Sequence, residues 1–277
     1  MQVVSTIAEV RAARPAFAQL GFVPTMGFLH EGHLSLIRRA KAACGAAAVS
    51  IFVNPTQFAP HEDLARYPRN LPRDLELAEA AGADLVFTPT PEEMYPPGFS
   101  TFIDPGLAHG AENAARPGHF RGVATVVAKL FGIMQPTLAV FGQKDAEQCV
   151  VIRKLVRDLD LPVTLDIAPT AREADGLAMS SRNSYLTPDQ RAAAVVLIRA
   201  LRAAEAVFAG GERDPEALRR TVLDILVQEP LGEVDYVALA DLNSLEPLTA
   251  PAEAALLSLA VRFGHTRLID NAILGAI

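Results

Sequence analysis

The sequence predicts an α/β chain: a doubly wound parallel-sheet (Rossmann-like) domain followed by a smaller C-terminal α+β domain. Three observations carry this expectation. Up to about residue 170, short apolar runs of strand length alternate with amphipathic stretches of helical spacing, the pattern of a parallel sheet covered on both faces. Beyond that point two helical stretches come first and strand-like segments last. The length of 277 residues suits two domains or one large α/β domain.

Taken in order, residues 7–19 have helical spacing and residues 21–24 form a short strand. Residues 32–44 are helical, and 47–53 are a buried strand stopped at Asn54-Pro55. A helix over 72–81 starts at Pro72, where a missing N–H costs nothing. A strand over 84–88 is closed by Pro89. Helices over 123–134 and 146–159 then alternate with strands over 137–141 and 163–167. A loop over 171–187 leads to a long helix over 188–209, ended by Gly210-Gly211. A helix over 215–227 and strands over 234–239, 255–263 and 267–269 follow. The expected domains are 1–171 and 172–277.

Half of the residues are hydrophobic and 21% are charged, which supplies a core and shows no disorder signature. The net charge is −7 and Lys and Arg are scattered, against a nucleic-acid partner. An anionic substrate must then be held by locally placed donors. Cys44 and Cys149 belong to no C-x-x-C pattern, so neither a disulfide framework nor a zinc ribbon is expected, and a reducing compartment fits. The first residues lack the basic and apolar regions of a signal peptide, and no apolar run approaches the ~20 residues that span a bilayer. The expected location is the cytoplasm.

The sharpest segment is Pro24-Thr25-Met26-Gly27-Phe28-Leu29-His30-Glu31-Gly32-His33, at a strand-to-helix junction. Ligands of open α/β sheets bind at the carboxyl ends of strands, where the next helix offers N–H groups and a positive dipole end. Gly27 and Gly32 let the backbone approach a phosphate. His30 and His33, three residues apart, share one face of a helical turn and are able to donate to phosphate oxygens. A metal site is disfavoured, because zincins use H-E-x-x-H and this segment reads H-E-G-H. One histidine alone would be a surface or core residue; two, beside two glycines, point to function.

Asn54 and Gln57 project beyond the end of a buried strand. Their amides suit the hydroxyls and carboxylate of a small acid, or an Asx-turn. Arg73-Asp74 reads as a solvated loop with an acid at a helix start. Arg121 opens a helix, where it serves an anion or the structure. Gly142-Gln143-Lys144-Asp145 is again strand, glycine, helix: Lys144 suits a phosphate, and Asp145 suits a ribose hydroxyl or a helix cap. Ala178-Met179-Ser180-Ser181-Arg182-Asn183 reads as a plain loop, or as one able to close over a triphosphate.

The run Pro24 to His33 resembles the nucleotide-binding H-x-G-H segment of the HIGH-type nucleotidyltransferase superfamily. The longer PTMGFLHEGHLSLIRRAK, with VNPTQF, HFRGV, FGQKDAEQ, AMSSRN and RFGHTRLIDN, is similar to the pantothenate synthetase (pantoate–β-alanine ligase) family. The resemblance covers nearly the whole chain. Two exchanges depart from it, Gln143 and Glu147 standing where Glu and Gln are expected.

The resemblance implies ATP-dependent condensation of pantoate with β-alanine through a pantoyl-adenylate, with Mg²⁺, in a homodimer. It implies catalytic roles for His30, His33, Lys144 and Arg182. ATP would be bound by Pro24, Thr25, Met26, Gly27, His30, His33, Gly142, Lys144, Asp145, Met179, Ser180, Ser181 and Arg182. Pantoate would be bound by Gln57 and Gln148, with Asn54 and Arg121 nearby, and Asp74 would be a metal ligand. The C-terminal domain would cap the site, and its RFGHTRLIDN string would serve packing or a turn. Two other readings stay open: a superfamily member without amide ligation, and a non-enzymatic nucleotide-binding protein. The set His30, His33, Lys144 and Arg182 argues against the second, since a binder has less need of so many phosphate donors.

Overall fold

Strands β1 (Gln2–Val4), β2 (Gly21–Thr25), β3 (Ala47–Ile51), β4 (Leu85–Phe87), β5 (Leu138–Gly142) and β6 (Thr164–Ala168) form one sheet. The computed structural model describes residues 1–60, 62–107 and 109–275. The strand order is β1-β4-β3-β2-β5-β6, with every neighbouring pair parallel. Helices α1 (Ile7–Ala13), α2 (Glu31–Cys44), α3 (Leu71–Ala80), α4 (Pro91–Met94), α5 (Ala111–Ala115), α6 (His119–Met134) and α7 (Ala146–Asp158) lie along the same stretch. Parallel strands covered on both faces must be apolar throughout, and Ala47, Ala48, Val49, Leu85, Val86 and Phe87 are fully buried.

Local signals set the helix ends. Thr6 and Glu9 close a capping box on α1, Asn70 caps α3, Thr90 caps α4, and Gly45 ends α2 in the left-handed region. Helix α1 stops at Ala13 and tightens into a 3₁₀ turn, Arg14–Ala16, well short of residue 19. Pro15 supplies no N–H to continue the helix.

The order reverses at β2. The chain runs outward through β3 and β4, then returns to the other side of β2 with β5 and β6. Strands β2 and β3 pair over five residues, but β2 and β5 pair only at Gly21↔Leu138 and Phe22↔Ala139. The ladder is therefore open toward the carboxyl ends of β2 and β5, the switch point where such sheets take ligands.

The chain divides into two compact units. The first comprises Met1–Gly106, Arg116–Gln143 and Val151–Pro169, and the second Leu107–Ala115, Lys144–Val150 and Thr170–Ile277. The division is discontinuous, where the sequence suggested one cut near residue 171. The second unit contains α8 (Pro188–Ala193), α9 (Val196–Ala209), α10 (Pro215–Leu226) and an antiparallel sheet of β7 (Gly232–Ala240), β8 (Ala255–Phe263) and β9 (Thr266–Leu274). Leu197, Leu201, Leu218, Val222, Leu257, Leu259 and Phe263 make its core. The helix expected over 188–209 is broken between α8 and α9, where Val195 and Leu197 donate to carbonyls three residues back and tighten the turn. Among the described residues no helix is long and apolar enough to cross a membrane.

One glycine in the first unit sets how closely α6 approaches the sheet. A Cβ on Gly122 would lie 2.4 Å from the Thr56 carbonyl oxygen, so α6 rests directly on the turn after β3. Gly122→Ala is expected to destabilise the protein by about 1–3 kcal/mol, the usual cost of overpacking. An unchanged urea midpoint would contradict this close packing.

Candidate active site

The segment leaving β2 is held by its own side chains. Thr25 Oγ1 donates to the Ser50 carbonyl at 2.7 Å and accepts from the Gly27 N–H at 3.2 Å. Gly27 has φ +82°, and a Cβ there would lie 2.9 Å from Ile51 Cγ2 and 3.0 Å from Asp74 Oδ2, so the tight turn requires glycine. His30 caps α2 with extended backbone, φ −135° and ψ 173°. Its N–H donates to His33 Nδ1 at 3.3 Å. Because Nδ1 accepts, the proton of a neutral His33 ring sits on Nε2, which is thereby a donor. The two imidazoles lie with centroids 4.0 Å apart and planes tilted by 38°, at the positive end of the α2 dipole.

Asp74, expected as a metal ligand, is engaged by the backbone in this structure. Its oxygens accept from the Phe28 and Leu29 N–H groups, each at 2.7 Å, and the residue is only 1% exposed. A carboxylate committed to two backbone amides in the core clamps the loop before α2. Among the described residues no group of three or more His, Cys, Asp or Glu is arranged to hold a metal ion.

The turn after β3 brings Asn54, Gln57 and Met26 together. Asn54 Nδ2 donates to Gln57 Oε1 at 2.9 Å and to the Gly122 carbonyl at 3.3 Å. Gln57 Nε2 lies 3.4 Å from Met26 Sδ. Asn54 Oδ1 accepts from the Tyr95 hydroxyl at 2.7 Å, and burial pushes the Tyr95 pKa up, which keeps that donor protonated. Sequence reasoning missed Tyr95, because its partner is 41 positions away. Arg121, open at the sequence level between an anion and a structural role, makes a structural contact here. It is an exposed residue of α6 whose guanidinium stacks 4.1 Å from the Phe102 ring centroid.

Glu62 lies in the loop beyond this turn and is held by Arg116, at 2.6 Å from Nε and 2.8 Å from Nη2. Burial alone would raise its pKa; the Arg116 hydrogen bonds and charge outweigh that and bring it to about 2. A carboxyl lowered on folding contributes stability that is fully present above its unfolded value near 4.5 and is lost as pH falls through about 2. The gap in urea midpoint between the parent chain and Glu62→Gln is therefore expected to shrink across that window. A gap that widens as pH falls would contradict the pairing.

In the second unit, Lys144 and Asp145 sit in the 3₁₀ turn Gln143–Asp145 that runs into α7. The Lys144 carbonyl accepts from Asn271 Nδ2 at 2.9 Å, and its ammonium lies 3.6 Å from the Asp145 carboxylate. Gln148 follows, half-buried, on the first turn of α7. Glu147, one of the two departures from the family pattern, is buried and accepts from the Ala111 and Glu112 N–H groups at 3.0–3.2 Å. Burial raises its pKa, and the backbone bonds oppose that shift. Arg267 forks onto Glu112 at 3.0 and 2.8 Å and reaches Asp235 at 2.7 Å. Arg267 and Asn271 thus tie the segment around Lys144, beyond the packing role expected of RFGHTRLIDN.

The segment bearing Met179, Ser180, Ser181 and Arg182 is anchored within the same unit. Arg172 forks onto the buried Asp270 at 2.6 and 3.0 Å, and Arg172 and Ala178 form a bridge. Ser180 Oγ accepts from the Arg182 N–H at 3.2 Å, and Asn183 Nδ2 donates to the Ala178 carbonyl at 3.0 Å. Ser181 is buried, while Met179, Ser180 and Arg182 are half-buried or better.

Comparisons with known proteins agree on one family. Residues 2–273 match the family model described as pantoate-beta-alanine ligase. A pantothenate synthetase from Herpetosiphon aurantiacus is 63% identical over 276 residues, covering 99% of this chain and 100% of that protein. The crystal structure of pantothenate synthetase from Thermus thermophilus superposes with a TM-score of 0.93 at 49% identity, over 98% of this chain and 99% of the other. A pantoate-beta-alanine ligase from Francisella tularensis, described as complexed with beta-gamma ATP and beta-alanine, gives 0.81 at 32% identity, over 99% and 97% of the two chains. This chain belongs to the pantoate-beta-alanine ligase family.

Proposed function

We propose that the protein joins pantoate to β-alanine at the expense of ATP, giving pantothenate, AMP and pyrophosphate through an enzyme-bound pantoyl-adenylate. The observation that carries this reading is the family match over residues 2–273 of a chain that keeps both imidazoles, His30 and His33, at the start of α2. ATP enters as its Mg²⁺ complex. A pantoate carboxylate oxygen attacks the α-phosphorus, and the bond to the bridging oxygen of pyrophosphate breaks. The amine of β-alanine then attacks the acyl carbon, AMP leaves, and the nitrogen loses a proton.

The substrate carboxylate is the nucleophile, so the protein positions groups and stabilises charge. The ring donors of His30 and His33, the Lys144 ammonium and the Arg182 guanidinium act on the phosphates. Ser180 and Ser181 join Arg182 on the phosphates, and the Pro24–Gly27 turn, Gly142 and Met179 hold the rest of the nucleotide, with Asp145 on the ribose. Gln57 and Gln148 hold pantoate, and Asn54 sets the Gln57 amide. The protein works in the cytoplasm as a homodimer. Pyrophosphate release should show a pantoate-dependent burst without β-alanine and steady turnover with it. Folded, ATP-binding protein that releases none under either condition would remove this reading.

A further inference from the structure

Gln57 is held through its main chain as well as its side chain. Its carbonyl accepts from His119 Nδ1 at 2.8 Å and from Arg116 Nη2 at 3.3 Å. A carbonyl only accepts, so His119 Nδ1 carries the proton. His119 Nε2, 3.0 Å from Arg116 Nη1, then accepts from the guanidinium. The ring is held from both sides. Arg116 forks in turn onto Glu62, and these two side chains are only 14% and 16% exposed. Helix α6 begins at His119, directly after Gly118 at φ +84°, so the ring is placed by a helix start rather than by a free loop. Two side-chain donors converge on the Gln57 carbonyl, and the Glu62 carboxylate orients one of them, Arg116. A largely buried ion pair adds little net stability over apolar packing, but a planar fork fixes direction.

We propose that Arg116 and His119 are positioning residues for the small-acid substrate: they fix the Gln57 main chain so that its amide meets the pantoate carboxylate and hydroxyl, and Glu62 orients Arg116. This rests on the reading of Gln57 as a pantoate-binding residue. The three residues act through Gln57 and need not touch substrate themselves.

The test is steady-state pyrophosphate release by the full chain, with pantoate and ATP varied separately. His119→Ala and Arg116→Ala are each expected to raise the KM for pantoate about tenfold, the scale of one lost hydrogen bond, and to change the KM for ATP less than roughly twofold. His119→Asn keeps an N–H donor near the Nδ1 position and should recover most of the loss. Arg116→Lys lacks the fork and should not. If His119 acts through Gln57, His119→Ala adds little further effect in a Gln57→Ala background. Should the alanine variants fail to fold, His119→Asn and Arg116→Lys carry the same comparison. Equal increases in both KM values, or additive effects in the double variant, would overturn the proposal. So would a folded His119→Ala with an unchanged pantoate KM. A Gln57→Ala chain with an unchanged pantoate KM would instead sink the underlying assignment of Gln57.

Discussion

Replacing Lys144 with alanine is expected to slow pantoate-dependent pyrophosphate release by ~10²–10³-fold, the range for removing one charge-stabilising donor from a developing transition state. The residue occupies the turn between β5 and α7, and its main chain is tied by Asn271 to β9. The backbone anchor survives the substitution, which removes the ammonium together with its methylene stem. Lys144 belongs to none of the hydrophobic core clusters, so the change empties no core position. The loss should appear in single-turnover adenylate formation with little change in thermal midpoint. A rate within a few-fold of the parent chain would remove Lys144 from the chemistry.

His33 yields the second large effect, and its geometry separates two contributions. Nδ1 caps the start of α2 by accepting from the His30 N–H, and Nε2–H is the donor that the proposed phosphate role uses. An asparagine at this position still has an oxygen to accept from His30 but lacks the Nε2 donor. His33→Asn is therefore expected to lose about 10²-fold or more in adenylate formation with little loss of stability. His33→Ala should lose a similar rate and also about 0.5–2 kcal/mol of stability, the worth of a helix cap. Equal thermal midpoints for the two variants would contradict the capping role. Near-parent rates for His33→Asn would contradict the phosphate role.

Periodic patterns made most of the fold legible, because the strands of the parallel sheet are apolar runs and their helices carry capping residues such as Thr6 and Asn70. What escaped was short or polar. Strand β1 has three residues, and α4 and α5 have four and five. Strand β9 was read as 267–269 because Asp270 and Asn271 interrupt its apolar run, yet both are buried against partners, Arg172 and the Lys144 carbonyl. The grouping of Leu107–Ala115 with the second unit was equally hidden, since it depends on Glu147 and Arg267 far along the chain.

The site divides along the same line. The imidazole pair and Lys144 stand beside glycines at strand ends, so local pattern was enough to single them out. The clamp by Asp74 on Phe28 and Leu29 spans 46 and 45 positions, and nothing near Asp74 announces it. For Arg121 the pattern left an anion and a structural role equally open, and the ring of Phe102, 19 positions back, is invisible from the helix start.

The central claim is that the pantoate carboxylate becomes bonded to the α-phosphorus of ATP. Pantoate labelled with ¹⁸O in its carboxylate, turned over with ATP and β-alanine, tests this most directly by mass spectrometry of the products. One labelled oxygen is expected in AMP and one in the pantothenate amide carbonyl. AMP free of label, or label in inorganic phosphate with ADP as product, would contradict it.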